Sequence, residues 1–329
     1  MVYISVSGSS SSKVSSEESG VDFIGSGRAD SDSVAMNGFD DSVADSKIWD
    51  IHDEGLDFYE NHSTDITSTN LWVKKQFPRL VKHWQSSVDK GSTLHILAIG
   101  SGRGQKDAEI LRQVKDHFSR VSYRVVEPNY NRLQDLQTRL VEKAAPEHVS
   151  FDIRLEKACT SSLMDKKFHL IHLLHVVAYI ENAEEYLLQC YKQLQPNGVL
   201  LVQIDSDDEN GLAFLDGVIK ASNERSGGLM KGFLMTSQLE NVLKKHSFNY
   251  EKFHYAGTAD ITECFRDDSS EGECLLHYLL LQENFNITEL TKDTRKQILA
   301  HLRESSHVKM CGEKIVIQDE FDMFLIYKE

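Results

Sequence analysis

Cysteine is scarce in this chain and nowhere closely spaced. The five that occur, Cys159, Cys190, Cys264, Cys274 and Cys311, form an odd set without a C-x-x-C pair. That argues against a disulfide framework and a zinc site and leaves reduced thiols. Bases are also in short supply: 36 lysines and arginines face 51 acids, for a net charge of −15. Such a surface opposes nucleic acid and anionic membranes and suits a small cationic or neutral partner. Long apolar runs are missing too. The opening "MVYISVSGSSSSK" holds no apolar leader segment, and nothing approaches the ~18 apolar residues of a membrane span. The expectation is a cytoplasmic monomer with no membrane or nucleic-acid partner, in which the sequons at Asn61 and Asn286 carry no meaning.

What is present is enough for a core. Of 329 residues, 40% are apolar, a size that suits one large domain with an insertion or a tail. The first fifty residues hold fourteen serines, and nine acids against three bases. They cannot bury enough apolar surface to offset their chain entropy, so residues 1–47 read as a disordered acidic tail and 48–329 as the folded domain. In "STNLWVKKQFPRLV" the apolar spacing is helical, with Ser68 or Thr69 as its cap. Strands then alternate with helices. The strands are 93–100, 121–127, 149–155, 168–176, 198–204 and 249–256, and the helices 105–118, 129–144, 183–194 and 236–246, the last capped by Thr236. Residues 206–235 lose the period and read as an insertion, 260–312 as mostly helical, and 320–328 as a final strand. Helices of this length between strands imply a parallel sheet covered on both faces.

At the end of the first of these strands, "LAIGSGRGQKDAEIL" places glycines at 100, 102 and 104. Alternate glycines permit a tight turn and close approach of backbone N–H groups to a ligand. The G-x-G-x-x-G dinucleotide spacing is not met. Glu127, ending the second strand in "YRVVEPNY", can accept hydrogen bonds from both hydroxyls of a ribose, which a dehydrogenase would also use. The Pro-Asn-Gly turn before the fifth strand, and a final strand able to pair with 249–256, match instead the Rossmann-like methyltransferase layout. That layout is a seven-stranded, mostly parallel α/β sheet with an antiparallel last strand, and S-adenosylmethionine has no diphosphate to cradle.

From about Tyr59 onward the chain resembles the histamine N-methyltransferase family, class I enzymes that methylate small amines with S-adenosylmethionine. The resemblance rests on "NHSTD" (61–65), "ILAIGSGRGQKDAEIL" (96–111), "VVEP" (125–128), "ADITECF" (259–265) and "NFN" (284–286). It implies that Gly100, Gly102 and Glu127 hold the cofactor, with Arg132 where the family has glutamine, Thr160 on the adenine side and Leu174 as an apolar contact. For the acceptor it implies Asp65 in place of the family's amine-binding glutamate, His175 in place of a glutamine, and Asp319 in place of an asparagine on the last strand. Tyr179 keeps one of two tyrosine positions, the other being Ala178, and Phe265 is retained. Two insertion tryptophans of the family fall in "GLAFLDG" (211–217), which offers only Phe214. Substrate-binding elements are thus implied at 48–80, 206–235 and 260–318.

The resemblance implies transfer of a methyl group to a nitrogen of a small amine or imidazole, histamine being the first candidate. An imidazole dipeptide, a polyamine and a non-catalytic binding homologue are the alternatives. No residue is needed as a nucleophile, because the sulfonium already activates the methyl group and a neutral imidazole can attack it. Asp65 would anchor the acceptor's ammonium between Tyr179 and Phe265. Asp65 and Asp319 together would hold His175 protonated. His169, His172 and His175 tempt a metal reading, but alternation along a strand turns His172 away from the other two.

Overall fold

The computed structural model describes residues 3–4, 43–88, 91–142, 146–158, 166–180, 182–207, 234–279 and 292–329. Thr160, Phe214, the "NFN" motif and nearly all of both the serine-rich segment and the 206–235 insertion lie outside the described residues. A two-residue strand, β1 (Tyr3–Ile4), precedes the helices α1 (Val43–His62) and α2 (Asp65–Ser87). There follow β2 (Thr93–Ile99), α3 (Gln105–Val114), β3 (Arg120–Glu127), α4 (Tyr130–Gln137), β4 (Val149–Leu155), β5 (Phe168–Leu174), α5 (Ala183–Lys192) and β6 (Leu194–Asp205). The chain continues through α6 (Thr236–Lys245), β7 (Asn249–Asp260), α7 (Ser270–Leu279), α8 (Lys292–Glu304), β8 (Val308–Cys311) and β9 (Lys314–Tyr327). No helix among the described residues is long and apolar enough to cross a membrane.

The sheet runs β1-β4-β3-β2-β5-β6-β9-β7, with β8 paired to β9. Pairing is parallel from β1 through β6, and β9 lies antiparallel between β6 and β7. The seven long strands thus form the Rossmann-like sheet that the sequence predicts, while β1 and β8 add short pairs. Alternation explains how the sheet is covered. Leu94, Ile96 and Ala98 of β2 meet α2 and α3 on one face, and Leu97 and Ile99 meet α5 on the other. Trp72, Val73, Phe77, Leu80, Val81 and Trp84 form the buried stripe of α2.

Two expected caps are displaced. Helix α2 starts at Asp65, with Thr64 at the cap position, because Thr69 is a fully buried residue whose hydroxyl joins a side-chain network. Thr236 stands inside α6 behind Met235, and its hydroxyl donates to buried Asp322 at 2.7 Å.

The final strand begins at Lys314, earlier than its apolar run suggests. Residues 249–260 of β7 pair with β9 from Tyr327 back to Val316, whereas β6 stops with Asp205 opposite Phe321. The β7–β9 ladder therefore outruns the sheet. Its overhang supports a third core in which Tyr59 of α1 packs with Leu275 and Leu279 of α7, Ile298 and Leu302 of α8, and Ile317. This core holds α1 and α7 beside the C-terminal edge of the parallel strands.

Candidate active site

Successive strands after β2 build away from it through β3 and β4, whereas β5 and β6 build on its other side. The crevice at such a reversal, outside the strands' C-terminal ends, is where open α/β sheets bind ligands. Gly100, Gly102 and Gly104 stand there with φ of 65°, 53° and 74°, a region costly for residues with a Cβ. At Gly100 a Cβ would come within 2.2 Å of Val176 Cγ2, so that glycine is required by packing. At Gly102 a Cβ would meet only Arg132 Nη1, at 3.8 Å. That turn is open to a ligand.

The Gly102 N–H donates to Glu127 Oε2 at 2.8 Å, and the Asn129 N–H donates to Oε1 at 3.0 Å. Glu127 is buried. Burial pushes its carboxyl up, against the two N–H donors and Arg132. Two N–H donors leave about half of a carboxylate's acceptor capacity unused. The remaining lone pairs suit the two hydroxyls of a ribose, so the residues fit the adenosyl half of S-adenosylmethionine. Beneath the turn, Asp107 accepts from Ser101 Oγ at 3.1 Å and from Tyr123 Oη at 3.0 Å, and steadies it from the first turn of α3. Leu174 is buried at the end of β5.

Arg132 does not replace a glutamine in kind. Its Nη2 lies 2.9 Å from Asp57 Oδ1, its Nε 3.5 Å from Asp53 Oδ1 and its Nη1 3.7 Å from Glu60 Oε1, all acids of α1. Arg103, inside the glycine turn, also binds Asp57. The two arginines tie α1 across the cofactor crevice.

On the β5–β6 side a cleft is lined by His175, Tyr179, Asp205, Tyr59, Tyr278 and Met235, among others. Asp65, the first residue of α2, is buried and does not itself line the cleft; it lies behind Gln203, which does. Its Oδ2 lies 2.7 Å from Lys106 Nζ, and its Oδ1 accepts from Gln203 Nε2 at 2.8 Å and from Thr69 Oγ1 at 3.3 Å. Burial alone would raise the Asp65 carboxyl, but Lys106, His175 and Gln203 overcome it and hold the group down at about 2.

His175 follows β5 with φ of 61°. Its ring meets Phe321 edge-on at 4.4 Å, and its Nε2 has no hydrogen-bond partner among the described residues. The expectation that neighbouring carboxylates hold it protonated is corrected. Burial, aided by Lys106, outweighs Asp65 and Asp205 and lowers its pKa, favouring the neutral ring.

Other expected residues are dispersed. Phe265 lies in a 3-10 turn (Thr262–Phe265) with the Arg303 guanidinium 4.8 Å from its ring centroid, and packs against the third core. It does not line the described cleft. Asp319, on the β9 overhang, is buried, is absent from the cleft lining, and has no hydrogen-bond partner for either oxygen among the described residues. Its pKa is raised to about 8, mainly by burial and then by Glu320. The histidines of β5 also separate: His169 Nδ1 accepts from the His95 N–H, and His172 Nε2 lies 3.0 Å from Tyr123 Oη.

Sequence reasoning missed Lys106, Gln203 and Asp205. For Asp205 a signal existed, an acid ending an apolar strand just as Glu127 does. For the other two there was none, since α2, α3 and β6 bring them together only on folding.

Comparison with known proteins agrees with this geometry. Residues 97–202 match a family described as "Methyltransferase domain". A histamine N-methyltransferase of Cavia porcellus is 23% identical over 274 residues, covering 81% of this chain and 91% of its own. A carnosine N-methyltransferase 2 of Gallus gallus is 22% identical, with coverage of 70% and 73%. Among solved structures, a Bacillus halodurans protein bearing a provisional methyltransferase name superposes with a TM-score of 0.50 at 14% identity. It covers 76% of this chain and 98% of its own, and speaks for the fold. The chain thus has the class I methyltransferase fold, with S-adenosylmethionine as its methyl donor, and is similar in sequence to the histamine N-methyltransferases.

Proposed function

We propose that this protein transfers a methyl group to a nitrogen of a small amine or imidazole, with histamine the first acceptor to test. The observation that carries the reading is the placement of a tyrosine-lined cleft, holding a carboxylate and a histidine, one strand away from the glycine turn and Glu127. The cofactor, when bound, supplies an electrophilic methyl group. The protein's task is then to present a neutral nitrogen in line and to keep water out, an orientation effect that reaches roughly 7–11 kcal/mol in well-ordered systems.

Each part of the cleft has a place in that task. Neutral His175, its Nε2 unpartnered among the described residues, can hydrogen-bond the acceptor's ring or amine. Tyr59, Tyr179 and Tyr278 supply aromatic walls suited to a flat ring or a cation. Asp65 and Gln203 order the base of the cleft through Thr69 and Tyr255.

A second acceptor class, the imidazole dipeptides, is favoured by the name of the Gallus gallus relative. Turnover with a labelled methyl donor across histamine, an imidazole dipeptide, a polyamine and an aliphatic amine separates the readings. The expected result is a product methylated on nitrogen for at least one of them. Tight cofactor binding with no methylated product from any would return the protein to the non-catalytic alternative.

A further inference from the structure

Asp65 has the charge to anchor an ammonium, yet its surroundings have already used it. Lys106 Nζ takes Oδ2 at 2.7 Å while Gln203 and Thr69 take Oδ1, inside a base layer where Asp65 is 4% exposed. A buried pair of this kind is strongly held, because removing either partner strands a charge away from water. Lys106 therefore fills the place that an acceptor's ammonium would otherwise occupy.

A different carboxylate lines the cleft. Asp205 ends β6, and its side chain keeps 26% of its surface accessible. Among the described residues its ion-pair neighbour is His175, whose Nε2 is 3.9 Å from Oδ1. That distance is too long for a hydrogen bond. Around it stand Tyr59, Tyr179 and Tyr278, with the rings of Tyr59 and Tyr278 4.9 Å apart. A carboxylate that shares a cleft with several aromatic side chains is an arrangement suited to an organic cation.

We infer that Asp205, framed by these three tyrosines, is the cation anchor of the acceptor site, and that Lys106 has converted Asp65 from an anchor into the internal counterion of the cleft. The assignment rests on the methyl-transfer reading above, and it names the residue that selects cationic acceptors in this chain. A cation at Asp205 lies beside His175 at the end of β5. The far end of the same small molecule can then reach the methyl donor in the crevice between β2 and β5.

The test uses the full-length protein saturated with S-adenosylhomocysteine and two probes that share a ring but differ in charge, histamine and 4-methylimidazole, titrated by calorimetry. The expected result is a preference for histamine of tenfold or more in the wild type. Asp205→Asn should erase that preference without changing affinity for S-adenosylhomocysteine, which also reports that the variant is folded. Asp65→Asn should move both probes by a similar factor. Adding Lys106→Met to Asp205→Asn should bring the preference back, because Asp65 then becomes available. The assignment is overturned if the wild type does not prefer the cation, if the preference survives Asp205→Asn, if Asp65→Asn alone removes it, or if the double variant binds S-adenosylhomocysteine without regaining it. Failure to bind S-adenosylhomocysteine at all would instead count against the methyltransferase reading.

Discussion

Replacing Gly102 with valine is expected to abolish measurable affinity for S-adenosylmethionine in a protein that still folds. The position has φ of 53° and only Arg132 Nη1 within 4 Å of a Cβ, at 3.8 Å. The fold therefore loses about 1–2 kcal/mol to left-handed strain and little to overlap. The ligand loses more. Valine fills the open side of the turn, and any shift of the backbone moves the N–H that orients Glu127. If both ribose hydroxyls lose their bonds to that carboxylate, at roughly 1.5–3 kcal/mol each, affinity falls by ~10²–10⁴-fold. Gly100→Ala gives the contrasting outcome: its Cβ would lie 2.2 Å from Val176 Cγ2, so thermal stability itself should drop. Calorimetric titration with S-adenosylhomocysteine and a melting curve on each variant check both statements. Unchanged affinity in folded Gly102→Val would remove the turn from the cofactor site.

The second large effect is expected at Asp319 and concerns stability against pH. Its two oxygens are buried without hydrogen-bond partners among the described residues, and its pKa is raised to about 8. In the unfolded chain an aspartate titrates near 3.9. Between those values the folded state holds a proton that the unfolded state has released, so stability declines as pH rises. The contribution is fully present below about pH 4 and is lost as pH climbs through about 8, at up to ~1.4 kcal/mol per unit. Asp319→Asn keeps the shape of the neutral acid and has no proton to lose. Its melting temperature should exceed that of the wild type at pH 8, and the two should converge near pH 4. Parallel pH profiles for the two proteins would show that Asp319 does not carry this slope.

The sheet was legible in the sequence because its information is local. Apolar runs, glycines and helix periods mark each strand where it lies, and boundaries moved by only a few residues in most elements. The meeting of Gly102 with Glu127 was legible for the same reason, since the two are read from two short segments at neighbouring strand ends. The acceptor half depends on distances between elements. Asp65 opens α2, Lys106 lies in the first turn of α3 and Gln203 lies inside β6. No spacing along the chain announces that a lysine will neutralise the expected anchor. His175 was placed at the right edge but given the wrong charge, since burial cannot be weighed against neighbouring carboxylates before the fold is known. Phe265 sits in a segment typical of the family, yet a one-turn helix directs it to Arg303.

The α1 acids that grip Arg103 and Arg132 bear on the timing of turnover. In that grip Asp53 and Asp57 are about one-third exposed, while Arg132 is almost wholly covered. Mobile ions can therefore reach the acids, and at physiological ionic strength they screen charges over ~8 Å. A methyltransferase must let its spent cofactor out before each new cycle, and these ion pairs hold α1 to the two arginines beside the glycine turn. Salt should loosen that hold, so S-adenosylhomocysteine should dissociate faster as sodium chloride is raised. Asp57→Asn should dissociate quickly even at low salt. Displacement kinetics followed in a stopped-flow instrument would reveal this, and a dissociation rate indifferent to salt in both proteins would mean that α1 does not govern release.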